Sequence, residues 1–514
     1  MDVSLLPAEW QEAFRRDGAE APTFPDPLPE RRLARLLAAF ILTGLFFMVL
    51  PGTVLGVWNL VGISSQREMA AVSAAWIQAH GHAQFFGWVG TFILGISLYT
   101  LPKFRGARCR SIPLGWAVWV MWSAGVALRW LAGVQHSVHP WQFRIAAGLE
   151  VVAAALFLWL VSARGPKRRV IQPWEFPVFA GFASLMLLLF WQVLIASQPL
   201  PSPALPAAAD RILISLAIWT FALPVVAGYA AKLFPGLIGA PPPRPAGIRL
   251  ALTALLALLA AAAGFTLEWP AVAAACTCIA VAVVARWLRV FDPQQGKPKT
   301  TGVYPRYPRF ARVAYVWLAV SALLGLDASR PGMLGASRHA FTVGFLATLI
   351  FAVGPRILPS FLNSRELWSA RLMHLSLVLI TAGCSLRVLA EPLAYGGLVD
   401  AAWKVLPVSA FTELSAVLLF GLNIAASLAT PVPSWFGRKQ VNDRMSVYWL
   451  VSSYATTRRI MIANGLVTLA KVDAIPRSLT LRDAALADGV PPETLVEKLG
   501  DFFESRLPRS LRSA

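Results

Sequence analysis

The sequence predicts an all-α protein that crosses a membrane about twelve times. Its 514 residues are 57% hydrophobic and only 14% charged, whereas a soluble domain is about 25% charged. A membrane-spanning helix needs roughly 20 apolar residues, and the apolar runs show no ten-residue alternation of the kind that marks a β-barrel. Twelve runs are long enough: about 34–57, 71–101, 113–132, 144–163, 174–197, 210–234, 247–266, 268–288, 310–328, 338–361, 369–390 and 407–430.

Three regions follow from this division. Residues 1–33 are polar and are expected to form a cytoplasmic N-terminal segment, and residues 34–430 form the transmembrane domain. Residues 431–514 alternate charged and apolar residues at helical spacing, which predicts a small cytoplasmic helical module. Thr480 is a candidate helix cap there, and Pro492 a candidate helix start.

The net charge of +20, from 46 Lys and Arg against 26 Asp and Glu, is distributed as in a membrane protein. The loops 133–143 and 198–210 contain no Lys or Arg, whereas the alternate loops are basic. This positive-inside pattern argues against nucleic acid as a partner and for membrane lipid. With twelve spans it predicts that both termini are cytoplasmic.

An internal repeat organises the apolar runs. The stretch "HAQFFGWVGTFILGISLYTLPKF" from His82 resembles "HAFTVGFLATLIFAVGPRILPSF" from His339, and the next helices match as "AGVALRWLA" and "AGCSLRVLA". Runs two to four therefore resemble runs ten to twelve. Run six, which ends in Leu-Phe-Pro and has no histidine, begins a weaker middle copy. We expect three pseudo-repeats of four helices.

Five of the six histidines are predicted at the extracytoplasmic side, and imidazole is a common ligand of iron and copper. An ionisable group inside a membrane usually serves function, although a histidine can also simply bond a neighbouring helix. We interpret the five as candidate haem or metal ligands. They are His80, His82, His136, His139 and His339.

The spacing of His80 and His82 keeps them apart. At about 100° per residue they point roughly 160° apart, so they serve two centres or act as one ligand and one orienting partner. His80 shares a face with Gly87 and Gly95, a stripe of small residues that admits either a neighbouring helix or a flat macrocycle.

Two arginines occupy equivalent positions in the repeat, Arg129 and Arg387, and each is followed one helix later by a glutamate, Glu150 and Glu413. One interpretation is an internal Arg–Glu ion pair in each copy. The other is that the arginines bind cofactor carboxylates such as haem propionates, since guanidinium suits carboxylate. Both roles can coexist.

The segments "HGHAQFFGWVGTFILGISLYTLPKFRG" and "RHAFTVGFLATLIFAVGPRI" resemble the two signature helices of the NnrS family. That resemblance implies a bacterial inner-membrane protein that binds haem and copper, with nitric oxide or another diatomic as its ligand, and a role in nitrosative stress. It carries over most directly to His80, His82 and His339. The tail resembles the DUF1858-type helical module, but residues 440–514 contain no cysteine, which argues against a thiol role and leaves docking or regulation.

The repeat pattern also resembles the catalytic subunit of haem–copper oxidases and nitric oxide reductases. Those enzymes place a ligand histidine on helix six, where this chain has Trp219, Pro224 and Tyr229 but no histidine. A complete three-histidine metal centre of that type is therefore not expected, and a shared fold would not carry the function with it.

Three functions stay open from the sequence. The leading one is a protein that binds haem, with or without copper, and handles nitric oxide. The second is an oxidase- or reductase-like enzyme with quinol or a cytochrome as electron donor, in which Glu150, Glu413 and Lys232 could contribute to a proton path. The third is a cofactor-free transporter that uses its histidines for substrate or protons. The sequence does not decide whether the protein is an enzyme.

Overall fold

The computed structural model describes residues 3–17, 27–135, 140–165, 171–198, 204–244, 247–361, 367–429, 441–453, 455–476 and 478–504. The chain divides into two compact units. The larger consists of Leu36–Arg356 and Ser369–Asn423, and the smaller of Met1–Arg35, Ile357–Trp368 and Ile424–Ala514. No β-strand occurs in the described ranges, which contain a single isolated bridge between Ser446 and Thr480.

Eleven helices of the described chain are long and apolar enough to cross a membrane, so the all-α polytopic fold is confirmed. The long helices are numbered here in chain order. They are α1 Arg32–Gln66, α2 Ala74–Phe104, α3 Ile112–Val134, α4 Trp141–Val161, α5 Glu175–Ala196, α6 Ala207–Leu237, α7 Ile248–Thr266, α8 Pro270–Leu288, α9 Tyr307–Gly325, α10 Met333–Pro359, α11 Ala370–Tyr395 and α12 Ala402–Ala429.

The helix α9 occupies the ninth predicted run but is not among the eleven apolar helices. Arg309 and Arg312 lie in its first turns. Only residues 313–325 then form a stretch without charged residues, which at about 1.5 Å per residue extends roughly 20 Å. That is less than the roughly 30 Å thickness of a bilayer's hydrocarbon core.

The repeat seen in the sequence extends to how the helices begin. Ser111 caps α3 by accepting a hydrogen bond from the backbone N–H of Leu114, at 3.3 Å. Ser369 caps α11 in the same way, accepting from the N–H of Leu372 at 3.2 Å. A serine oxygen at this position satisfies one of the unpaired N–H groups that every helix start leaves.

Four of the long helices contain a π-helical segment, a rare widening that often lies at functional sites. Two of these segments directly follow the repeated histidines: Ala83–Gly90 comes after His82, and Ala340–Ala347 comes after His339. The others are Met48–Val54 in α1 and Ala217–Ala222 in α6. The middle copy thus shares the wide turn without the histidine.

Threonine hydroxyls stabilise three of the wide turns. Thr53, Thr91 and Thr348 each donate to the carbonyl oxygen five residues earlier, at 2.8, 3.3 and 3.2 Å. Because a π-turn disturbs the regular i to i−4 pairing, a side-chain hydroxyl is well placed to satisfy the carbonyl that it frees.

The small-residue face of α2 packs against α1. A Cβ atom on Gly87 would lie 2.9 Å from Cβ of Phe47, and one on Gly95 would overlap the side chain of Phe40. Aromatic rings of a neighbouring helix therefore fill this stripe. Of the two uses left open by the sequence, the structure shows helix packing.

The smaller unit has its own hydrophobic core. Trp10 and Ala13 of the N-terminal helix Ala8–Asp17 lie in that core with Leu481 and other residues of the C-terminal part. Thr480 caps the helix Leu481–Ala487 in a capping box with Asp483, so its predicted role is confirmed. The N-terminal and C-terminal segments, expected as separate regions, share this one core.

Candidate functional site

Two equivalent His–Glu pairs are the central feature of the larger unit. The Nε2–H of His82 on α2 donates to Oε1 of Glu150 on α4 at 2.8 Å. The Nε2–H of His339 on α10 donates to Oε1 of Glu413 on α12, also at 2.8 Å. We call the level of the helices that holds these four residues the histidine layer.

Glycines on the intervening helices make both pairs possible. A Cβ atom on Gly125 of α3 would lie 2.8 Å from Cγ of Glu150, and one on Gly383 of α11 would lie 2.6 Å from Cγ of Glu413. These separations are shorter than any normal carbon contact. The absence of a side chain lets the glutamate-bearing helix approach closely enough for its carboxylate to reach the imidazole.

The two pairs differ in burial. The side chains of His82 and Glu150 are 5% and 0% exposed, whereas those of His339 and Glu413 are 23% and 12% exposed. Glu150 also accepts a hydrogen bond from Nε2 of Gln192 at 3.1 Å. In the first pair, both side chains are therefore almost inaccessible and both carboxylate oxygens accept a hydrogen bond; we call this pair closed. In the second pair, part of each side chain remains accessible.

His80 faces away from His82, as its spacing predicts. Its Nδ1–H donates to the carbonyl oxygen of Gly52, in the π-helical segment of α1, at 2.9 Å. A Cβ atom on Gly56 would overlap the imidazole ring, so that glycine makes room for His80. His80 also lies within electrostatic range of His339, Arg387 and Glu413, which places it beside the second His–Glu pair.

The arginines do not form the ion pairs that one interpretation assigned to them. Both oxygens of Glu150 are bonded by His82 and Gln192, and Arg129 instead donates from Nη2 to Oε1 of Gln78 at 3.3 Å. The guanidinium of Arg129 also stacks over the ring of Phe143, at 4.2 Å.

The helices α10–α12 repeat α2–α4 and are called the second copy below. There, Nε of Arg387 lies 3.0 Å from Oε2 of Glu391, one turn along the same helix, and Arg387 does not pair with Glu413. Buried guanidinium atoms are left without a hydrogen-bond acceptor in the described part of the chain. Among them is Nη1 of each of these two arginines, Arg129 and Arg387. Unpaired buried donors are costly, so each arginine can still take an acceptor.

The fit of a haem-type group can be judged from these donors. Because Nδ1 of His80 carries the proton donated to Gly52, its Nε2 has a free lone pair, the arrangement usual for a histidine ligand of a metal. His82 and His339 use Nε2 for their carboxylates in this conformation. His80 therefore presents Nε2, the nitrogen farther from the backbone, as its free nitrogen, whereas His82 and His339 retain only Nδ1. Arg387 lies near His80, and its buried Nη1 has no acceptor in the described part of the chain.

No preformed metal centre accompanies these residues. Within the described ranges, no three His, Cys, Asp or Glu side chains converge at distances that could hold an ion. The candidate ligands His136 and His139 lie outside the described residues. The sixth histidine, His374, is exposed and stacks on Tyr304 with ring centroids 4.2 Å apart.

Sequence reasoning missed several residues of the histidine layer. Gln78 and Gln192 are glutamines in apolar runs, and a search for intramembrane amides would have found them. Gly125 and Gly383 were inside the quoted repeat match, where identity at a glycine signals close approach. Asp210 and Arg338 lie within electrostatic range of each other, and Asp210 also lies near Arg129 and His82.

The comparisons with known proteins agree with the fold. A family model described as a domain of unknown function, DUF8744, matches residues 238–429, and no curated protein matches. A chain from the cryo-EM structure of a haem–copper terminal oxidase dimer is similar, with a TM-score of 0.59 over 92% of this chain and 99% of the other. The chain shares the fold of that oxidase. At 13% identity the likeness concerns fold alone.

The match covers almost the full length of both chains, so the predicted resemblance to haem–copper oxidases is confirmed for the architecture. The NnrS and DUF1858 resemblances stay predictions.

Proposed function

We propose that this protein is a membrane redox protein that holds a haem-type cofactor in the histidine layer between α2 and α10. His80 would supply an imidazole ligand through Nε2. The bound group would supply one-electron chemistry and an iron site for a small ligand. The chain's own residues would orient the imidazole, neutralise the cofactor's carboxylates and exclude water.

The observation that carries this proposal is the hydrogen bond from Nδ1 of His80 to the carbonyl of Gly52. It fixes the tautomer and the ring orientation, and it raises the basicity of the free nitrogen.

Arg387 supports the same location. It lies near His80, and the N–H groups of its buried Nη1 have no acceptor in the described part of the chain. A cofactor carboxylate would satisfy them by charge-assisted hydrogen bonds. Arg129 would do the same in the first copy, where Nη1 is unpaired.

The finer assignment follows the NnrS resemblance. We infer that the natural ligand is nitric oxide, that copper is a second bound metal, and that the protein lies in a bacterial inner membrane with both termini cytoplasmic. The fold similarity to a haem–copper oxidase supports a redox role.

Absorption spectra and metal analysis of the purified protein test the proposal. Wild type is expected to show a Soret band, which His80→Ala loses. His82→Ala and His339→Ala are expected to keep the cofactor with altered spectra, because their imidazoles bond carboxylates. Retention of the wild-type spectrum by His80→Ala would contradict the assignment.

An oxidase- or reductase-like enzyme is the second candidate function. It is favoured by a polar group where α6 meets α2: the hydroxyl of Tyr229 donates to Oγ of Ser97 at 2.8 Å and lies 3.1 Å from Oγ1 of Thr100. An enzyme of this kind needs an iron with an open position, so the spectrum of the reduced protein should shift when carbon monoxide is added, and an unchanged spectrum would contradict this candidate.

A further inference from the structure

The two His–Glu pairs are built alike, but the helix turn that precedes each histidine is not. Gln78 lies one turn before His82 on α2. The offset of 257 residues that aligns His82 with His339 places Gly335 at the equivalent position of α10. A long amide side chain in one copy is thus replaced by a hydrogen atom in the other.

Gln78 forms a clamp in the first copy. Its Nε2 donates to the carbonyl of Leu205 at 2.9 Å, and its Oε1 accepts from the N–H of Leu205 at 2.8 Å. The same oxygen accepts from Arg129 at 3.3 Å. One side chain therefore joins α2, α3 and the segment that leads into α6. The pair that it adjoins, His82 and Glu150, is closed.

Gly335 leaves the second copy without a clamp. A Cβ atom there would overlap the carboxylate of Glu391, so no larger residue fits while that carboxylate keeps its place. Glu391 in turn pairs with Arg387. The neighbouring pair of His339 and Glu413 keeps accessible surface on both side chains.

We propose that Gln78 seals the His82–Glu150 pair against small molecules from solution, whereas Gly335 leaves the His339–Glu413 pair open as the place where a small uncharged ligand enters. This deepens the proposed function by assigning the entry site to one copy. Both members of that pair are mostly buried, which disfavours a charged ligand and leaves neutral molecules. Gln78 acts as a positioning residue.

Diethyl pyrocarbonate, a small uncharged reagent that acylates imidazole, tests the proposal by footprinting with mass spectrometry. In the full-length wild type we expect His339 to react at least about tenfold faster than His82, with the exposed His374 as internal reference. Equal reactivity of His339 and His82 would overturn the proposal, and so would complete protection of both. This comparison needs no variant to fold.

The variant Gln78→Gly, which copies the second repeat, is expected to raise the reaction of His82 towards that of His339. Gln84→Ala is the matched control, because Gln84 lies on the same helix but donates to Thr53 instead of clamping Leu205. If His82 reacts as slowly in Gln78→Gly as in the wild type, the Gln78 side chain does not shield the imidazole from the reagent. The Soret band, recorded on the same samples, reports separately on the proposed cofactor, so failure of either proposal is recognised independently.

Discussion

Nε2 of His339 lies 2.8 Å from a carboxylate oxygen of Glu413, in the same arrangement that joins His82 to Glu150. The two pairs are about 260 residues apart in sequence yet use equivalent helices and equivalent glycines. Each pair joins the second helix of its repeat to the fourth across a glycine of the third. The repeat therefore preserves a polar contact between helices as well as a helix pattern.

We expect removal of the Glu150 carboxylate to destabilise the fold more than removal of Glu413. In Glu150→Leu, the buried donors of His82 and Gln192 both lose their acceptor, which costs about 1–3 kcal/mol for each unpaired group. In Glu413→Leu only His339 loses its acceptor, and that side chain is less buried, so the cost is smaller. Unfolding by denaturing detergent, followed by circular dichroism, measures the difference.

The conservative Glu150→Gln and Glu413→Gln variants serve as controls for shape. An amide keeps an oxygen acceptor for the imidazole but removes the charge. We expect each to recover most of the stability lost in the leucine variant. Equal losses in Glu150→Leu and Glu413→Leu would contradict the difference in burial between the two pairs.

Gly125→Ala and Gly383→Ala are expected to push the glutamate helices away from the histidines. The added methyl group would lie within 2.8 Å of Cγ of Glu150 in one case and 2.6 Å of Cγ of Glu413 in the other, and overpacking of this kind costs about 1–3 kcal/mol. Gly148→Ala on α4 is the control, since a Cβ there meets nothing within 4 Å. Thermal unfolding in detergent should give a lower midpoint for Gly125→Ala and Gly383→Ala than for Gly148→Ala. Similar midpoints in all three variants would argue against a close approach of the helices at the two pairs.

Gly56→Ala tests the placement of His80 without touching the imidazole itself. The new methyl group would overlap the ring and displace it from its bond to Gly52. We expect a severalfold loss of haem per protein at nearly unchanged expression. Gly81→Ala, next to His80 on α2, places its Cβ in open space and should keep the cofactor. Full cofactor content in Gly56→Ala would show that His80 is not the ligand.

The sequence predicted the polytopic fold, the repeat and the equivalence of His82 with His339, because apolar length and motif identity are local signals. It also predicted that His80 and His82 face opposite ways, which follows from helical geometry alone. It did not predict the partner of Glu150. The partner depends on whether His82 or Arg129 lies within hydrogen-bonding distance of the carboxylate. That distance depends on how closely α3 and α4 approach, which the absence of a side chain at Gly125 allows. The distance between two helices depends on the packing of both, so the sequence of one helix does not specify it.

The ion pair of Arg105 and Glu175 joins the ends of α2 and α5, with Nε 3.0 Å from Oε2 and both side chains almost fully buried. Glu175→Ala should cost about 3–5 kcal/mol, because it leaves a buried guanidinium without its carboxylate. Asp327→Ala removes the partner of Arg330, whose side chain is 73% exposed, and should cost at most about 1 kcal/mol. Detergent-induced unfolding compares the two, and a small effect of Glu175→Ala would show that water reaches the Arg105 guanidinium and that the pair is not buried.

Labelling of Cys109 tests the predicted orientation, since this thiol lies between α2 and α3, whereas Cys276, Cys278 and Cys384 lie inside long helices. Burial raises the pKa of the Cys109 thiol. Because the thiolate is the reactive form, alkylation should be slow at neutral pH and rise about tenfold for each pH unit until the raised pKa is reached. A membrane-impermeant maleimide is expected to label Cys109 in inverted membrane vesicles and not in intact cells, with Cys109→Ser as the blank. Labelling in intact cells would place this loop outside and reverse the topology inferred from the alternation of basic loops.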